Sequence, residues 1–144
     1  MAILNYTTSI SPERSISEIT KCLVQHGATK IVTDYIDQEP SSVTFCINLN
    51  NSIVAFSLPA NYQGVLKSME KDKKIPRKFL TREQAVKVSW RIVKDWVEAQ
   101  MAIVEAQLAD MAEVFLPYAV TKKGNTLYSE MKTGGMAMLK QAAE

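Results

Sequence analysis

Between Arg82 and Phe115 the chain contains neither glycine nor proline, and Thr81 with Gln84 forms a capping box that starts a helix near Arg82. About 34 helix-compatible residues rise roughly 50 Å. A compact domain of 144 residues is only about 35–40 Å across. The polar face of the run also moves. Lys87, Arg91, Lys94, Glu98 and Glu105 share one stripe, but past Glu105 that stripe is continued by Ala109, Ala112 and Leu116. Either the helix breaks near residue 105, or its second half packs on something new. A second copy of the chain is the economical partner, so the expectation is a homo-oligomer built through the long helix.

The N-terminal half reads as sheet. In "VTFCINLNNSIVAFSL", Asn50-Asn51 forms a two-residue hairpin turn, because Asn tolerates the positive φ such turns need. That turn sets Ile47 opposite Val54, Phe45 opposite Phe56 and Val43 opposite Leu58, with all six on one face. Turn chemistry and apolar alternation select the same register. Residues 29–36 predict a further strand, and Ala2–Thr8 another. Between them Ser11 caps a helix, Pro12 opens it and Gly27 closes it. Pro59 ends the sheet half. Asn61–Lys71 reads as a short helix, Pro76 breaks "KDKKIPRK" into a loop, and Pro117 stops the long helical pattern. The expected fold is α+β, with a small antiparallel sheet in the order β-α-β-β-β followed by a helical half. It forms one domain over 1–144: a sheet-rich half 1–58, a helical half 59–130, and a mobile tail 131–144 interrupted by Gly134-Gly135.

A formal net charge of +2 hides a segregation. Residues 1–66 hold three basic and five acidic residues, 67–94 hold ten against three, and 95–144 hold four against seven. Such a block is an argument for an anionic partner. Lys87, Arg91 and Lys94 are spaced four and three, so they point the same way on the long helix. Trp90 lies at the border of that stripe, where it is expected to offer a stacking face beside the cations, and Tyr62 is a second candidate. Trp96 lies nearly opposite and is expected in the core. Arg77, Lys78 and Arg82 precede or open the helix, near free N–H groups that also favour anions. The candidate ligand contacts are therefore Tyr62, Arg77, Lys78, Arg82, Lys87, Trp90, Arg91 and Lys94, with Arg91 expected to be exposed.

The inventory argues against catalysis. His26 is the single histidine, and its place at a helix C-terminus suits a cation for dipole reasons alone. Cys22 and Cys46 lack metal-ligand spacing and read as buried free thiols of a reducing compartment. No Ser-containing nucleophile elbow or phosphate loop is present. Asp34, Asp37 and Glu39 flank a turn and read as solvated. The chain has no leader-like N-terminus and no apolar run of spanning length. It is expected to be a cytosolic, non-enzymatic protein without metal or cofactor.

The segment "TREQAVKVSWRIVKDWVEAQMAIVEAQLADMAEVFLPYAV" resembles a family of small proteins from tailed-phage genomes. The likeness extends to "LNYTTSISPERSISEI", "QHGATKIV" and "FSLPANYQGVL", covering most of residues 3–128 and fading after Tyr128. Its most specific pieces are Trp90–Trp96 and Val114–Tyr118. Ile36 stands where the family more often has an acidic residue, which weakens a metal role for the neighbouring acids. The resemblance implies a setting, the cytoplasm of an infected bacterium, and no catalytic residues. In that setting a small anion binder is expected to act as a counter-defence sponge. It would sequester a cyclic or ADP-ribose-derived nucleotide immune signal. The alternative is a nucleic-acid-binding accessory factor of phage replication or recombination.

Overall fold

The computed structural model describes residues 2–140 and Ala142. Helix α1 (Pro12–Gln25) leads into β1 (Lys30–Ile36), β2 (Glu39–Leu49) and β3 (Ser52–Pro59), which form an antiparallel sheet in the order β1-β2-β3. Then come α2 (Tyr62–Lys71), a 3-10 turn at Arg77–Phe79, α3 (Arg82–Glu105), α4 (Met111–Phe115), a second 3-10 turn at Leu116–Tyr118, and α5 (Leu127–Gly134). The architecture is α+β. Among the described residues no helix is long and apolar enough to cross a membrane.

The hairpin has the expected register. Ile47 pairs with Val54, Phe45 with Phe56 and Val43 with Leu58, and Asn50 and Asn51 adopt φ of 50° and 67°. The caps of α1 also follow the sequence: the Ser11 hydroxyl accepts from Arg14 N–H, and Gly27 takes φ 104°.

Ala2–Thr8 is not a strand, so the sheet has three strands rather than four. Asn5 turns the chain at φ 65°, and the Gln84 amide donates to the carbonyls of both Tyr6 and Thr8 at 2.9 Å. These bonds lay the segment along α3. Thr81 N–H donates to Phe79 O at 2.9 Å rather than to the Gln84 side-chain oxygen, so the capping box is half-formed: the Thr81 hydroxyl accepts from Gln84 N–H.

The long run breaks after Glu105. Gln107 N–H donates to Val104 O, Leu108 N–H donates to Ile103 O, and Gln107 adopts φ 60°. This is a Schellman closure with glutamine in the left-handed position where glycine is usual. Asp110 and Glu113 then form a reciprocal capping box that restarts the chain as α4. At 24 residues α3 is about 36 Å long, which one domain accommodates. Helix length therefore gives no reason for a second copy.

Helix α3 is the central element, packed by α1, α2, α4 and the sheet. The main core gathers Ile19 and Leu23 of α1, Phe45 and Phe56 of the sheet, Trp90 and Val97 of α3, and Phe115 of α4. A smaller core joins Met69, Ile75 and Val88, with Ile3, Tyr6 and Phe79 packed against it.

Candidate anion-binding surface

The basic block divides into two electrostatically different parts. On α3, the stripe expected to face water faces α1 instead. Arg91 is 13% exposed at its side chain, and its guanidinium donates to both the Glu18 carboxylate and the Ser15 hydroxyl. That hydrogen bond holds the Glu18 carboxyl below the ordinary carboxylate range, with the nearby charges of Arg91, Lys94 and Arg14 adding to it against desolvation. Lys94 is equally withdrawn, at 12%, and pairs with Glu98 at 2.8 Å and Asp95 at 3.7 Å. Arg91 is thus not the exposed ligand contact the helical spacing predicted. Lys87 is half-buried and forms no ion pair among the described residues.

Trp90 is corrected more sharply. It is 0% exposed, and its indole N–H donates to Pro40 O at 3.1 Å. A helix with neighbours on several sides buries a wider arc than one resting on a single core, so a residue at the border of the apolar stripe goes inside. No face of Trp90 is open to a base. Trp96 is half-buried, edge-on to Phe115 and Tyr118.

Upstream, the cations stand free. Lys67, Lys71, Lys73, Lys74, Arg77 and Lys78 are all exposed, and none is in an ion pair among the described residues. Only Glu70 and Asp72 interrupt them. Lys67 and Lys71 lie on α2, and the loop that carries the other four is anchored from below. Ile75 is 5% exposed in the smaller core, its N–H donates to Asp72 O, and the Asp72 carboxylate accepts from Lys74 N–H at 2.9 Å. Lys71, Asp72, Lys73 and Lys74 line a shallow open depression with Ser68 and Ala2. Lys78 lies 5.0 Å from the ring centre of Phe79. Of the residues singled out in the sequence, Arg77 and Lys78 belong to this surface. Lys67, Lys71, Lys73 and Lys74 were visible there only as a charge run.

Two further candidates meet elsewhere. The Arg82 guanidinium sits 5.2 Å from the ring centre of Tyr62, at a cleft of about 300 Å³ between the β1–β2 turn and the start of α2. The cleft also holds Asp37, Glu39 and Asn61, and Arg82 pairs with Glu39 at 3.2 Å. Its charge is mixed.

His26 acts as a brace between helix ends: its ring nitrogens contact Cys22 O at 2.7 Å and the Glu105 carboxylate at 2.8 Å. Burial, with Glu98 and Glu105 nearby, pushes the Cys22 thiol up, away from reactive thiolate character. No family model, curated protein or solved structure matches the chain.

Proposed function

We propose that the protein is a non-enzymatic binder of phosphate-bearing ligands whose exposed lysine-rich surface takes the sugar-phosphate backbone of nucleic acid. One observation carries this reading: six exposed cations over Lys67–Lys78, on α2 and on the anchored loop after it, form no ion pair among the described residues, while Arg91 and Lys94 of α3 are neutralised internally. An open surface of spaced charges suits a polyanion, because each phosphate contact releases counterions. A small nucleotide needs an enclosing wall with stacking and hydrogen bonds. Trp90 is buried and cannot supply one, and the 24-residue α3 removes the length argument for an oligomer whose long-helix contacts would wall a pocket. With the tailed-phage resemblance, the reading becomes an accessory factor of phage replication or recombination in the host cytoplasm.

The test is fluorescence anisotropy with labelled single-stranded and duplex oligonucleotides across 50–200 mM salt. If four to six cations engage duplex phosphates, log K falls against log salt with a slope of about −3.5 to −5.5. Lys73→Glu/Lys74→Glu should weaken binding at least tenfold. Absence of binding at the lowest salt, or binding indifferent to the double substitution, overturns the proposal.

The second reading, sequestration of a small phosphorylated nucleotide by a counter-defence protein, is favoured by the Arg82–Tyr62 cleft. There the Tyr62 ring could stack on a base, or the Arg82 guanidinium over it could meet a phosphate. A ligand phosphate must compete with Glu39 for Arg82, which disfavours highly charged nucleotides. If this reading holds, Tyr62→Ala and Arg82→Ala abolish nucleotide binding and leave oligonucleotide binding unchanged.

A further inference from the structure

The two edges of the sheet are treated differently. Beside β3, Val120 N–H donates to Ala55 O at 2.8 Å and Phe56 bridges Ala119, so that edge is partly covered. The outer edge of β1 pairs with nothing among the described residues. It is seven residues long, without proline, and Val32, Tyr35 and Ile36 on it are 42%, 60% and 64% exposed. Such a row of open N–H and C=O groups is a template for another strand.

Charge placement identifies the strand it fits. Lys30, Val32 and Asp34 lie on one face of β1, opposite Cys46, Thr44 and Ser42 of β2. Neither Lys30 nor Asp34 is in an ion pair among the described residues, and the carboxylate of Asp34 accepts only from the Ser42 hydroxyl, at 3.1 Å. The two charges are placed symmetrically about Val32. Antiparallel pairing of β1 with a second β1, on a two-fold axis through Val32, sets Val32 against its own copy. Lys30 then meets the partner's Asp34, and Asp34 meets the partner's Lys30. Directly opposed cross-strand residues have Cβ atoms about 4.5–5.5 Å apart, within reach of opposite charges. Moving the axis by one residue puts a charge opposite Val32 and loses both pairs. The bulge at Asp34/Tyr35 ends the regular run there.

We propose that β1 is a two-fold interface between two copies of this chain, joining their three-stranded sheets into one continuous six-stranded sheet. This interface is independent of α3 and of the lysine-rich surface.

Sedimentation velocity on the full chain at roughly 50 µM should show a dimer. Lys30→Asp and Asp34→Lys each place like charges opposite one another twice, and each should weaken the dimer at least tenfold. Mixing the two variants puts an acid against a base at both positions and should restore a dimer, now a heterodimer. A monomeric wild type, single variants that dimerise as the wild type does, or a folded mixture that stays monomeric each overturn the proposal. Hydrogen exchange supplies a readout that needs no variant. Amide exchange over Lys30–Asp34 should slow as concentration rises through the dimerisation range, and exchange independent of concentration there also overturns it.

Discussion

Arg91 and Lys74 belong to one basic segment of the sequence, yet they do opposite work. Arg91 is 13% exposed and tied to Glu18 and Ser15 of α1, whereas Lys74 stands in solvent on a loop pinned by Ile75 and Asp72. The helical spacing of Lys87, Arg91 and Lys94 shows that they share a face, but not what the face meets. Here α1 approaches it and its Glu18 supplies the counter-charge of Arg91, while Glu98 and Asp95 of α3 itself pair Lys94. The loop cations carry no periodicity, and they stand exposed and without ion pairs among the described residues. Charge density in a sequence therefore locates candidates, and pairing in the tertiary structure selects among them.

The contrast can be broken most forcefully from the α3 side. Trp90→Ala removes a fully buried indole and its hydrogen bond to Pro40 O. It should cost about 3–5 kcal/mol in denaturant unfolding. Melting unchanged by that substitution would mean that Trp90 is the exposed stacking residue its stripe position predicted.

Arg91→Ala should cost about 1–2 kcal/mol. The lower figure suits a pair whose acid is 32% exposed and keeps some solvation. An Arg91→Ala protein with wild-type melting but lost oligonucleotide binding would reverse the comparison between the two regions.

A smaller, pH-dependent effect follows from Glu18. Its carboxyl is held below the ordinary range in the folded state by Arg91, so its stabilisation is present above the unfolded glutamate pKa of about 4.3. That stabilisation is lost as pH falls through the lower, folded value. Thermal melts from pH 6 downward should show Glu18→Gln less stable than wild type at the upper end, with the difference closing in acid. A constant difference across the range would show that Glu18 is not ionically linked to the fold.

The smallest stability effect belongs to the loop. Lys73→Glu/Lys74→Glu should change unfolding free energy by no more than about 0.5 kcal/mol, as exposed substitutions away from structural contacts do. A large loss of stability would make these lysines structural and place them with Arg91.

Sequence legibility follows how local each determinant is. The β2–β3 register was readable because its causes lie within one hairpin: two Asn residues able to take positive φ, and an alternation that the pleat sorts to two faces. The start of α1 was readable for the same reason. The end of α3 was legible only as a region. Its stop uses Gln107 in a conformation where glycine is the usual signal, although Asp110 and Glu113, three residues apart, mark the restart that follows. Ala2–Thr8 carries strand-like residues, but Gln84 and the smaller core hold it against helices, and nothing within the segment announces that.

At the candidate surface, the sequence by itself determined that cations crowd into residues 67–94 and that three of them share a helix face. Apart from Lys94, whose partner Glu98 is its i,i+4 neighbour, only the tertiary structure decided which stay free. Glu18 lies on α1 and Glu39 on β2, far along the chain from Arg91 and Arg82, and a counter-charge at that separation has no signature in local spacing. The burial of Trp90 was decided in the same way, because exposure depends on how many neighbours surround a helix, while its periodicity records only which residues share a side.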